Sequence, residues 1–478
     1  MPWRESFEPV RMQRVALVSP HERLREVLVA TADAGTVELD VATEAASVSE
    51  AARLLQRAPA TGAIMPMLAL DEPDLAAVAQ AGRVDLLAGE AQLQARAAAG
   101  VTRALVVGLV GWMPAAAVSP LASQLAPLGG AVVPLPSPRG VDPPTLLHTR
   151  GGFNRSFAPL MDTYATVPYA DVDVTVAAGL AYVVMFGMMF ADAGQGALLL
   201  AAGVLLRVGR PRRLARFRQV WLFLVGAGLA SMLFGVLFGE FFGPTGVLSA
   251  VWLKPLEQPV LLLEVAIGVG ACLLSVAYAI GTVNRWREGG WRLALVAPTG
   301  FAGVVLFLGL GVLLLGAYRG SGWLVALGVS VAVGGLVLAY VGLLAAAGGG
   351  GTGAAQAGIE LFDGVVRLGT NVVSFARLAA FGLAHAALGA IVWQGTTGLW
   401  AAGGLLYIAA VLVFVVGNAL TFTLESVVAG VQALRLEYYE LFSRIFVSEG
   451  RPFHPWTLPV TSTVSSTVGS PHPSERVS

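Results

Sequence analysis

The sequence predicts an α-helical polytopic membrane domain of about eight transmembrane helices, the last two long and tilted, behind a small N-terminal α/β cytoplasmic domain. Three observations carry that reading. Of 478 residues, 56% are hydrophobic, 13% are charged and 58 are glycine, a composition of long apolar helices packed through small residues. The polarity is uneven, because residues 1–170 are ordinary mixed sequence whereas 174–446 is mostly Ala, Val, Leu and Gly. Within that apolar part stand Arg377 and Arg435. An arginine at a bilayer centre costs at least ~2.5–3.5 kcal/mol on insertion scales and calls for a partner, since a guanidinium cannot lose its proton. Snorkelling from a helix end, or an ion pair within the bundle, is the structural alternative. Two arginines on neighbouring segments, each with a His or Glu nearby, favour a functional role.

Composition also excludes. The sole cysteine, Cys272, lies in an apolar run, so neither a disulfide framework nor a cysteine metal cluster is expected; no cofactor or metal is anticipated. The N-terminus lacks the apolar core of a signal peptide, so the first domain is expected to stay in the cytoplasm. The only lysine, Lys254, sits in Val-Trp-Leu-Lys-Pro-Leu. A phosphate-binding Gly-x-x-x-x-Gly-Lys-Ser/Thr loop is therefore missing, and direct ATP binding of that kind is not expected; nor is a nucleic-acid partner.

In chain order, Arg11–Pro20 reads as a strand, Glu22–Ala34 as a helix and Thr36–Val41 as a strand. Glu44–Arg57 and Leu75–Ala99 are Ala-rich and amphipathic, suited to a short antiparallel hairpin. Arg103–Gly111, Pro114–Leu128 and Ala131–Leu135 read as strand, helix and strand, completing an α/β domain over 1–170. Pro136–Pro144 opens the linker, and His148 beyond it reads as a surface residue. A hydrocarbon core ~30 Å thick needs ~20 apolar residues per helix. Spans fall near 174–190, 193–207, 219–241, 259–283, 293–317, 322–346, 369–395 and 402–446, within a membrane domain over 171–450. Loops 207–218 and 285–292 are Arg-rich. Short basic loops stay cytoplasmic, so eight spans with both termini in the cytoplasm fit a multi-pass protein of the cell membrane. Residues 451–478 read as a disordered cytoplasmic tail, Ser/Thr/Pro-rich from 457.

That topology orders the polar residues. Arg377 lies towards the cytoplasm and His385 ~12 Å further out. On the antiparallel eighth span Glu425 lies ~15 Å outside Arg435. Glu240 ends the third span on the outer side, whereas Glu360 and Asp363 precede the seventh on the inner side. Asn418, Glu425 and Gln432 are seven apart and share a helix face, flanked by Thr421 and Arg435. Asn418 and Thr421 equally suit bonds to other helices. Asp192 is either a helix cap or a proton-path residue, and Glu264 is open between interior packing and a proton path. The Gly348–Gly353 run reads as a flexible loop.

Four motifs carry a family resemblance: Phe186-Gly-Met-Met-Phe-Ala-Asp192-Ala-Gly194, Leu233-Phe-Gly-Val-Leu-Phe-Gly-Glu240-Phe-Phe-Gly243, Ser374-Phe-Ala-Arg377-Leu-Ala-Ala-Phe-Gly-Leu-Ala-His385, and Glu425-Ser-Val-Val-Ala-Gly-Val-Gln-Ala-Leu-Arg435-Leu-Glu437. They resemble the membrane stator subunit of V/A-type rotary ATPases, called subunit a or subunit I. The resemblance implies that Arg377 and Arg435 face a proteolipid rotor ring and that His385 and Glu425 support the proton path. It also implies peripheral-stalk subunits and a central-stalk socket subunit as partners, besides the lipid bilayer, with the first domain as the stalk-binding arm. Gln195 stands where relatives often have His, and the arm looks about half the usual length. On this reading a rotor carboxylic acid stays protonated in lipid and ionises beside an arginine, so protons enter and leave through two offset half-channels. A self-contained secondary transporter is the rival; it expects repeated halves with matching broken helices, and the Arg-bearing motif has no second copy. A purely structural anchor leaves the paired arginines unexplained. Proton versus sodium ion, and synthesis versus pumping, stay open.

Overall fold

The computed structural model describes residues 9–40, 49–58, 64–138, 141–146, 156, 168–208, 218, 220–446 and 450–461. Two units emerge: the described residues from 10 to 146 with 451–461, and those between 147 and 450.

The first unit is an antiparallel sheet covered by helices. Strand β1 (Met12–Pro20) lies between β5 (Val106–Pro114) and β6 (Ala131–Leu135), while β2 (Glu38–Leu39) and β4 (Val101–Arg103) both pair with β5. Val15 and Leu17 alternate onto the buried face of β1, as a half-buried strand requires. They pack with Val27 and Leu28 of α1 (Leu24–Ala34) and with Leu121 and Leu125 of α5 (Val118–Leu125). Helix α1 stops at Gly35, whose φ of +57° suits a left-handed cap. The long helix expected over 75–99 is two, α3 (Leu75–Gln80) and α4 (Val84–Ala98), parted at Gly82 with φ +68°. The shorter α2 (Glu50–Arg57) starts on Ser49, whose hydroxyl accepts the amide of Ala52. Glu90 of α4 is buried yet satisfied, because both its oxygens accept from the Arg25 guanidinium, at 2.7 and 3.2 Å.

The tail corrects the sequence reading. Residues 451–461 are not disordered: Trp456 and Leu458 enter the core of the α/β unit, and β7 (Val460–Thr461) pairs in parallel with β3 (Leu68–Ala69). The physical reason is the apolar alternation Trp456, Leu458, Val460, which buries one face against α1 and α4. The indole of Trp456 donates to Gln92, and Arg96 stacks over its ring at 4.4 Å. Residues 462–478, His148 and loop 209–217 lie outside the described residues.

The second unit is all helical. Among the described residues six stretches are long and apolar enough to cross a membrane, marking a multi-pass membrane protein: α8 (Trp221–Phe238), α9 (Pro259–Val296), α10 (Phe301–Tyr318), α11 (Gly322–Ala346), 350–402 and 406–445. Two apolar helices before them are shorter, α6 (Thr175–Met189, 15 residues) and α7 (Ala193–Val208, 16 residues). The stretch expected as loop 285–292 is instead helical extension of α9, broken only at Gly289–Gly290, and the next span starts at 301. Gly348–Gly350 form a turn with φ of +74° to +79°, and α12 (Gly350–Ser374) follows at once, so the glycine run is a sharp helix start and not a loop. A break at Phe375 separates α12 from α13 (Ala376–Ala402). The chain closes with α14 (Leu406–Leu436), a π-helical turn over Glu437–Phe442 and the short α15 (Ser443–Ile445).

The tail docking is testable. Trp456→Ala removes the largest apolar group of the tail and should cost the α/β unit ~3–5 kcal/mol. Limited proteolysis of the full chain should then cut within 451–461, and a wild-type cleavage pattern would show that Trp456 does not hold the tail.

Candidate functional site

The first two motifs are packing devices. Asp192, fully buried, accepts hydrogen bonds from the amides of Gln195 at 2.8 Å, Phe242 at 3.0 Å and Gly243 at 2.8 Å. One carboxylate thus caps α7 and pins the turn that follows α8. The glycines let these helices touch: a Cβ on Gly235 would lie 2.2 Å from the amide nitrogen of Ala193. The result is a rigid wedge, α6–α7–α8, against which α13 packs.

Glu240 leaves α8 straight after Gly239 and is buried, with Oε2 lacking a hydrogen-bond partner among the described residues. It stands within electrostatic reach of His385 on α13, as does Asp192. The His385 ring is buried against Phe190, and its Nδ1 hydrogen-bonds Glu425 Oε2 of α14. The other oxygen of Glu425 has no partner among the described residues. So the structure gathers buried Glu240 and His385 and half-buried Glu425, from the turn after α8, from α13 and from α14, into one group beside Asp192. Asn418, about two turns before Glu425 on α14, donates to the Phe414 carbonyl at 2.9 Å and meets Gln195 at 3.5 Å.

The arginines lie elsewhere on the same helices. Arg377 opens α13, ~12 Å below His385 at 1.5 Å per residue. Its Nη1 is buried without a hydrogen-bond partner among the described residues, and it lines a groove of about 650 Å³ with Val366, Gly369, Thr370, Val373 and Ser374. Ile359, Phe362, Val366 and Val373 form an exposed apolar stripe that Arg377 continues at helical spacing. On α14 the stripe is Leu420, Leu424, Val427 and Val431, and exposed Arg435 is the next residue in it. Gln432 is half-buried with Oε1 unpartnered among the described residues.

Three residues sit apart from this arrangement. Glu360 and Asp363 are exposed on α12 and engaged locally, with Gln356 at 2.9 Å and Arg367 at 2.7 Å. Glu264 is neither interior nor in a buried path: it is exposed, and the Tyr318 hydroxyl lies 3.4 Å away.

Two acids escaped the sequence reading. Glu440 is buried, with Oε2 lacking a hydrogen-bond partner among the described residues, and it stands within electrostatic reach of both Arg377 and Arg435. Glu437 is fully buried with neither oxygen bonded among the described residues, lining a cavity of about 200 Å³ with Ala177, Ala181 and Ala277. The π-helical turn hides both from periodicity, because i→i+5 bonding widens the turn and shifts Glu440 towards the face of Arg435.

Residues 106–253 match the V-type ATPase 116kDa subunit family, a range that holds the first two motifs. The chain is 26% identical over 364 residues to A-type ATP synthase subunit I of Pyrococcus horikoshii, covering 74% of this chain and 54% of that one. It is 28% identical over 320 residues to A-type ATP synthase subunit I of Thermococcus kodakarensis, 64% of this chain and 46% of that one. To V-type ATP synthase subunit I 2 of Treponema pallidum it is 34% identical over 143 residues, 28% and 32% of the two chains. The chain is thus similar to subunit I of A-type and V-type ATP synthases. It spans about half the length of the curated relatives it matches.

In this chain Asp192 acts as a cap, and that role makes a prediction. Each amide bond to a charged acceptor contributes ~1.5–3 kcal/mol. Asp192→Leu, which removes all three, should abolish accumulation of the protein in membranes, whereas Asp192→Asn retains an acceptor and should accumulate and transport protons. Transport lost in a well-accumulated Asp192→Asn would return this residue to the proton path.

Proposed function

We propose that this chain is the stator subunit of a V/A-type rotary ATPase or ATP synthase, coupling proton passage to rotation of a proteolipid ring. The observation that carries the reading is the placement of Arg377 and Arg435, each continuing an exposed apolar helix stripe, with the hydrogen-bonded His385–Glu425 pair further along the same two helices and Glu240 within electrostatic reach of it. Such stripes suit an apolar rotor helix, and the arginines give a charged partner to a carboxylate carried on it.

In this reading the membrane part crosses eight times, the short α6 and α7 included. Both ends and the basic stretches around 207–218 and 285–292 face the cytoplasm, and the membrane is that of the cell. The last two helices are tilted, since 40 residues from Leu406 to Ile445 would span ~60 Å upright, about twice the hydrocarbon thickness. The α/β unit is the attachment point for peripheral-stalk subunits, and a central-stalk socket subunit joins the assembly.

The chemistry follows from the permanence of the guanidinium charge. A rotor carboxyl in lipid holds its proton, because burial disfavours the anion. Arriving beside Arg377 or Arg435 it ionises, and the proton passes to the half-channel on one side of the pair. Glu240, His385 and Glu425 form the outer half-channel. Gln432 and Glu440 line the inner one, and the exposed Glu360 and Asp363 stand at its cytoplasmic approach. The two fixed cations block a direct leak between them. A proton crossing ~100 mV delivers ~2.3 kcal/mol.

Charge alone is not enough at these positions, because arginine presents a planar fork and lysine a point charge that deprotonates when desolvated. Arg377→Lys should abolish, and Arg435→Lys impair, ATP-driven proton pumping by the reconstituted complex, with normal assembly in both. Full coupling with Arg377→Lys would overturn the proposed role.

A further inference from the structure

The segment that leads into α6 carries a buried acid that the proposed function does not use. Asp171 is fully buried, and neither of its oxygens meets a hydrogen-bond donor among the described residues. The charged group that acts on it most is a second carboxyl, Glu288 of α9, one helical turn beyond the Asn284 side chain that the Val172 amide bonds. Glu288 lies 2.6 Å from the Arg285 guanidinium, whose side chain is 8% exposed, while that of Glu288 is 23% exposed and so reached by solvent. The juxtaposition is fixed by a neighbour. The amide of Val172 donates to Asn284 Oδ1 at 3.1 Å, and Asn284 Nδ2 donates to the Ile445 carbonyl at 3.2 Å. Segment 171–172, α9 and α15 therefore meet on one fully buried asparagine.

Two ionised carboxylates are acceptors only, so a hydrogen bond between them requires a proton. Two like charges sharing a desolvated site also disfavour double ionisation. The charged groups that act on Asp171 are Glu288, Arg285 and Arg287, all on α9. Asp173, on the same segment, is engaged with the amide and hydroxyl of Thr175, at 2.9 and 2.5 Å. From α15 the neighbour is the Ile445 carbonyl, which is uncharged.

We propose that Asp171 and Glu288 share one proton and form a pH-dependent latch holding the segment before α6 against α9. Burial first, and then the contact with Glu288, push the Asp171 carboxyl up to about 7. An undocked aspartate titrates near ~3.9. Below that pH docked and undocked forms are both protonated, and the latch is at full strength. Between there and about 7 the docked form alone keeps the proton, so docking weakens by up to about tenfold per pH unit. Above about 7 both forms are ionised and the loss is complete. Glu288, reached by solvent, is the exchange route. That the latch senses cytoplasmic pH rests on the orientation proposed above; the latch itself does not.

Amide hydrogen exchange in the full chain, in its complex, tests the latch. Peptides covering 168–175 are followed at about pH 5.5 and about pH 7.5, after correction for intrinsic exchange. Opening should rise at least about tenfold across that interval in the wild type. In Asp171→Asn it should be flat and protected, because an amide donates to Glu288 without taking up a proton. Glu288→Gln should flatten it from the other side, and decides alone if Asp171→Asn does not fold. A pH-independent wild type, or wild-type pH dependence in a folded variant, overturns the latch. Failure of the stator reading would appear as retained coupling in Arg377→Lys and would leave this exchange unchanged.

Discussion

A guanidinium keeps its charge at any depth, and that constraint orders the helical unit. Arg377 and Arg435 continue exposed apolar stripes, Ile359, Phe362, Val366 and Val373 before the one and Leu420, Leu424, Val427 and Val431 before the other. The acid that stands within electrostatic reach of both is Glu440, buried at the end of the same chain segment. The Glu240–His385–Glu425 group lies well away along the helices, so it does not neutralise the pair.

Holding that separation requires stiffness, which comes from small residues and one acid. Asp192 ties α7 to the turn after α8 through three amide bonds. Gly235 lets α8 lie against the start of α7 with no room for a Cβ. Glu240 leaves α8 from within this clamp and so reaches His385 from a fixed direction. In the α/β unit the analogous fastening is Trp456, which brings the end of the described chain onto α1 and α4.

Much of the fold was legible because periodicity and apolar length are local. Strand Ala131–Leu135 and helix Gly322–Ala346 fall where the sequence put them. Breaks at Gly82 and Phe375 were harder, because the helical pattern runs through them unchanged, whereas the kink at Gly289–Gly290 falls inside the stretch read as an Arg-rich loop. The tail was misread because Ser, Thr and Pro dominate its composition, while the burial of Trp456 depends on residues hundreds of positions earlier. In the site, His385 and Glu425 could be brought near one another from topology alone. Glu437 and Glu440 could not, since a π-helical turn changes the face on which they fall. For Asp192 a cap was foreseeable, but its hold on residues fifty positions further on was not.

The central claim is that the faces bearing Arg377 and Arg435 meet a rotor helix. Disulfide cross-linking in the assembled complex tests it most directly. Cys272 is first replaced, and single cysteines are placed at Leu424 or Val431 and beside the ion-carrying carboxylate of the proteolipid. The claim predicts a cross-link at both positions that stops ATP-driven rotation until it is reduced. No cross-link at either position, with both cysteines open only to lipid-phase reagents, would contradict it.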